Sequence, residues 1–134
     1  MMSIQSQFSD ADSALFKTEL EALLRSSNGI LTCVLASADG FVIAEANLQS
    51  SNGEKLAAMS SSMIGLAAAI AQELSLGALD ALVMDAFAGK VVMLSVPTSK
   101  ADLVLLVSCG AAGTIGHVLY SAKAAAKNVI NGIS

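Results

Sequence analysis

The chain holds few residues able to do acid–base or nucleophilic chemistry, and their spacing keeps them apart. His117 is the single histidine, so a Ser-His-Asp or Cys-His arrangement could form nowhere else. It falls in a run with helical period, on the side shared with Tyr120, Lys123 and Lys127, and reads as a surface side chain. Asp80 and Asp85 sit an odd number of residues apart in a strand-like run. Alternation places them on opposite faces, where they cannot work as an acid–base pair. Cys33 and Cys109 each lie in an apolar run without a ligand-spaced partner, and are expected to be buried, unbridged thiols in a reducing cytoplasm. Neither GxxxxGK[ST] nor GxGxxG occurs, so the chain is not expected to bind a nucleotide by itself. No cofactor or metal is expected. Gly110-Ala-Ala-Gly113 could cradle an anion at a helix start, but a plain strand-to-helix turn accounts for it. Ser60, Ser61 and Ser62 are nucleophiles by type. In a helix of small residues their hydroxyls are expected to bond backbone carbonyls instead.

With chemistry so thin, the elements carry the information. The chain has 134 residues, 54% of them apolar and 13% charged, with net charge −4. That length suits one domain, and so little polar surface favours self-association. No basic patch is visible, which excludes the usual nucleic-acid footprint. The uncharged stretches Leu56–Gln72 and Leu103–Ala122 are interrupted by Ser, Gly and Gln or by Gly and His, and do not read as membrane spans. MMSIQSQFSD lacks the basic and apolar regions of a signal peptide. Residues 1–9 read as a flexible leader and 10–134 as a single domain.

Ser9, with Asp12 three residues on, predicts a capped helix over 10–26 carrying Phe16, Leu20, Leu23 and Leu24 inward. Ile30–Ala38 and Phe41–Ala46 read as strands, and Asp39-Gly40 between them predicts a type I′ hairpin turn. A helix follows to about Leu74, punctuated by Gly77. Leu79–Phe87, Lys90–Val96 and Asp102–Cys109 read as three strands joined by short turns, the first at Ala88-Gly89. A last helix over 112–131 buries Ile115, Val118, Leu119, Ala122, Ala126, Val129 and Ile130. The order αββαβββα predicts an α+β fold, a five-stranded antiparallel sheet with helices on both faces.

The middle helix, LAAMSSSMIGLAAAIAQEL, has no charged face to show water. At ~100° per residue, Leu56, Met59, Met63, Leu66, Ile70 and Leu74 form a large apolar stripe, expected against the sheet. Ala57, Ser61, Ile64, Gly65, Ala68 and Gln72 form a small, flat face, expected to lie outward and receive a partner. Met59, Met63, Met84 and Met93 read as core residues.

ASADGFVIAEA (36–46), EKLAAMSSSMIGLAAAIAQEL (54–74) and GTIGHVLYSAKAAAKNVI (113–130), in this element order, resemble the roadblock/dynein light-chain family, most of all its bacterial MglB-like branch. The resemblance implies strand order 2-1-5-4-3, with the first and last helices on one face and the middle helix on the other. It implies a homodimer through the third strand and the middle helix, which would draw on Met59, Met63, Leu82 and Met84 and join two sheets into one. It also implies a non-enzymatic regulator or scaffold of a Ras-like small GTPase, with stimulation of GTP hydrolysis as one form of that role. Arg25, the only arginine, is then the one candidate for an arginine finger. Its place at a helix C-terminus is explained by the helix dipole, so activation is better sought in the ordering of the GTPase's own switch residues. A structural adaptor in a larger assembly and a small-molecule sensor are the alternatives.

Overall fold

The computed structural model describes residues 7–26 and 29–133. The elements run α1 (Asp10–Arg25), β1 (Ile30–Ser37), β2 (Val42–Asn47), α2 (Gly53–Glu73), β3 (Leu82–Ala86), β4 (Gly89–Pro97), β5 (Asp102–Gly110) and α3 (Ile115–Gly132). The strands form one antiparallel sheet in the order β2-β1-β5-β4-β3. The fold class, the order of elements and the strand order match the expectations from sequence.

Helix α1 begins where Ser9 predicts. The Ser9 hydroxyl accepts from the Asp12 N–H at 3.1 Å, and the Asp12 carboxylate accepts from the Ser9 N–H at 3.1 Å. Asp12 is also fully buried and receives the Lys100 ammonium, which pins the β4–β5 turn to the start of α1. Phe8 was expected in the leader but packs edge-on against Phe16, with ring centroids 5.0 Å apart. An aromatic ring next to a cap is held because the cap fixes the angle at which the chain enters.

Helices α1 and α3 cover one face of the sheet. Their core joins Phe16, Leu20 and Val118 to Cys33, Leu35, Val92, Leu105 and Val107. Both Ala122 and Ala126 face inward on α3 as expected, joined by Ala125, while Ile130 is half out. Helix α2 covers the other face, over β1, β5, β2 and β4, with Val34, Ala36, Val104 and Leu106 beneath it.

Two turns differ from expectation. Gly40 has φ 97°, but Asp39 does not share the left-handed region, so the β1–β2 turn is not type I′. The Gly40 N–H bonds to the Ser37 carbonyl at 3.0 Å, and the Ser37 N–H to the Phe41 carbonyl at 2.8 Å. That is a longer loop closed by one left-handed glycine, an arrangement that also suits the twist of a hairpin. The β1–β2 register then slips by one, from Leu35↔Ala44 to Ala36↔Val42, leaving Ile43 as an extra residue in β2. In the second hairpin Ala86 pairs with Gly89, so Phe87-Ala88 make the turn. Gly89 is required there by close approach, since a Cβ would stand 2.5 Å from the Cys109 carbonyl oxygen. Strand β3 is also shorter than Leu79–Phe87, because Asp80 turns toward α3 and accepts from the Lys123 ammonium at 2.7 Å.

Candidate interaction surface

Helix α2 starts at Asn52, whose side-chain oxygen accepts from the Lys55 N–H at 3.1 Å. It ends in a Schellman motif. The Leu76 N–H reaches the Ala71 carbonyl at 2.8 Å and the Ser75 N–H reaches that of Gln72 at 3.0 Å. Ser75, not Gly77, takes the left-handed cap position, with φ 55°. Between these ends Ser60, Ser61 and Ser62 donate to the carbonyls of Ala57 and Ala58, at 3.1 to 3.2 Å. Their hydroxyls are spent within the helix, which allows Ser60 to be buried.

The face turned to the sheet is not the expected one. Ala57 and Ile64 lie against it, 0% and 7% exposed, together with Ser60 and Ala71. Both residues were expected to face outward, so both leave the candidate partner surface. Leu66 and Leu74, expected inward, are instead 67% and 62% exposed, and Met59 and Ile70 share their flank. Leu56 and Met63 lie half-buried at its base. The reason is packing distance. Small side chains let α2 settle close over Val34 and Ala36 at the middle of the sheet, whereas large ones would hold it off. A helix apolar all round gives no polar side from which its inner face could be told in advance.

A second apolar strip lies on the same face of the sheet. β3 is an edge strand, with Met84 and Val83 exposed and Leu82 half-buried. Leu82 and Met84 pair with Met93 and Val91, so they lie on the α2 side of the sheet. Of the methionines expected in the core, only Met93 is fully inside, while Met59 and Met84 are on the surface. Met59, Met63, Leu82 and Met84 thus fall on one side of the sheet, with Leu66, Ile70, Leu74 and Leu76 unforeseen among the exposed residues.

On its opposite flank α2 presents Ser61, Gly65, Ala68 and Gln72. Ser61 and Gly65 line a hollow of about 300 Å³ with Ala38, Pro97 and Asp102. Ala68 and Gln72 line an open groove of about 840 Å³ with Ser75, Leu79, Asp80 and Ser95. A Cβ on Gly65 would meet nothing within 4 Å. Four of the six small-face residues therefore remain accessible and adjacent.

The residues of chemical type stay apart. His117 is exposed on α3, and Arg25 ends α1 on the far side of the sheet from α2. Asp80 and Asp85 are held by Lys123 and, at 3.9 Å, by Lys90. Cys33 and Cys109 are buried and unbridged, and burial pushes the Cys33 thiol from 9.0 up to about 12. Among the described residues no three His, Cys, Asp or Glu side chains come together. No helix of these residues is long and apolar enough to cross a membrane.

Residues 16–107, from within α1 to within β5, match the Roadblock/LC7 domain. The chain belongs to that family. This roadblock domain superposes on an MglB in a tetrameric arrangement with TM-score 0.82 and 18% identity, covering 92% of this chain and 91% of the other. MglB of Myxococcus xanthus gives 0.80 at 14%, over 92% and 91%. The gliding protein MglB of Thermus thermophilus gives 0.81 at 16%, over 92% of each chain. No curated protein sequence matches the chain.

Proposed function

We propose that this roadblock domain is a homodimeric, non-enzymatic regulator or scaffold of a Ras-like small GTPase, working in the cytoplasm. The observation that carries the reading is the division of α2 into two usable flanks. The large flank, Met59, Leu66, Ile70 and Leu74, lies exposed on α2, and the same sheet has β3 as an unpaired edge. Contiguous apolar surface of this kind marks a protein contact, and β3 offers backbone N–H and C=O groups to a second β3. Pairing across a two-fold axis would join the sheets and bury the large flank of each copy. The small flank, Ser61, Gly65, Ala68 and Gln72, would remain outward for the GTPase. Short side chains lose little rotamer freedom on binding. The likeness to MglB folds supports the same reading. Any effect on hydrolysis would come from holding the GTPase's switch segments, since Arg25 is remote from this flank.

The test uses the GTPase that co-purifies with the chain. Ala68→Arg is expected to stay dimeric by light scattering and to lose GTPase binding, while Lys17→Glu on α1 keeps both the dimer and the binding. GTP turnover with and without the wild-type chain separates a regulator from a scaffold. A wild-type chain that is monomeric at micromolar concentration would end the dimer reading, and normal binding by Ala68→Arg would move the partner surface elsewhere.

A further inference from the structure

Phe87 stands wholly in solvent, 105% exposed, in the two-residue turn between β3 and β4. The turn holds no left-handed residue, so it admits most residue types, and the Phe87 ring there leaves its whole apolar area unburied. We infer that Phe87 anchors the second copy of the chain by entering a hollow beside that copy's Asp80 and Ala81, on the sheet face that carries α3. This rests on the dimer proposed above and names its anchor.

The argument is one of symmetry. When an edge strand pairs antiparallel with its own copy, each residue lies opposite one equally far from the axis. β3 is centred on Met84, so Leu82 comes opposite Ala86, and Phe87, one position past the strand, comes beside Ala81, one position before it. The face follows from register. Val83 pairs with Val92, which belongs to the core under α1 and α3. Alternation carries Asp85 to that same side, Phe87 leaves the strand two positions on, and Ala81 packs against that same core. There the structure has a hollow of about 210 Å³, lined by Asp80, Leu94, Lys123, Ala126, Lys127 and Ile130. A cavity of roughly 150 Å³ accepts benzene, so the ring has room. Leu94, Ala126 and Ile130 supply apolar walls.

Charge agrees with shape. The rim carries Lys127 and the Lys123–Asp80 ion pair, and the strand end approaching it carries Asp85. Within its own chain the Asp85 carboxylate meets the Lys90 ammonium at 3.9 Å. A dimer brings it toward the lysines of the other copy. Knob, hollow and complementary charges occur twice, as an isologous contact requires.

The experiment combines sedimentation equilibrium with cysteine capture. A chain carrying Phe87→Cys is mixed with one carrying Lys127→Cys under a copper–phenanthroline oxidant. A disulfide-linked heterodimer is expected, and none when Leu48→Cys on the far edge replaces Phe87→Cys. Phe87→Ala, with unchanged circular dichroism, is expected to raise the dimer dissociation constant roughly 10- to 100-fold. If Phe87→Ala dimerises as tightly as wild type and no link forms, the anchor is wrong while the dimer stands. A monomeric wild-type chain would overturn the dimer itself.

Discussion

Burial has turned Cys33 from a reactive group into a packing group. A thiol raised to about 12 stays protonated throughout the physiological range, and only the thiolate is a nucleophile. The same shift makes stability fall in alkali. Unfolding releases the thiol to its ordinary range, so between pH 9 and 12 the unfolded chain binds fewer protons than the folded one. The stability Cys33 contributes is complete below 9 and is lost as pH rises toward 12. Urea titrations at about pH 8 and about pH 10.5 should show wild type losing up to about 1.4 kcal/mol per pH unit more than Cys33→Ala across that window. An equal loss in both proteins would mean that Cys33 ionises freely in the fold. The sequence made this residue legible as a buried thiol, because its run is apolar on both sides. The size of the shift depends on how completely α1 and β5 close over it, which no local pattern records.

At the scale of the helix, α2 separates what periodicity can tell from what it cannot. The period, the Asn52 start and the lack of charge identify a helix with no charged face, and the structure lays one side of it on the sheet and leaves large apolar residues open on another. Which stripe faces the sheet was not legible, since both stripes are apolar and only packing distance distinguishes them. The same limit explains the length of β3. Leu79–Ala81 have strand character, yet Asp80 is drawn away by Lys123, more than forty positions along the chain. For α1 and α3, with charged outer faces, the inner residues were mostly correct. The two sides of α2 should respond oppositely to the same substitution. Ile64→Glu is expected to unfold the domain, because it buries a carboxylate against Val34 and Leu106 without a partner. Leu66→Glu should leave the fold intact and dissociate the dimer. Circular dichroism and light scattering on the two variants check this, and the reverse pattern would restore the orientation expected from sequence.

For the whole molecule, stability and assembly should be one quantity. If α2 and β3 are completed only by a second copy, the folded state gains free energy from mass action. The midpoint of thermal unfolding is then expected to rise with protein concentration, and scanning calorimetry over a hundredfold dilution should reveal it. A midpoint independent of concentration would mean that one copy folds to its full stability alone, with its apolar flank simply tolerated in water.

The extra residue in β2 bears on how such growth ends. Once β3 is paired, β2 is the remaining open margin of the joined sheet, and a straight margin would invite further chains into an endless ribbon. Ile43 breaks the spacing there, and a bulged strand twists away from a flat neighbour. In the proposed dimer the irregularity at one side of the sheet would stand guard for the regularity at the other: assembly would begin at β3 without running on into a fibre.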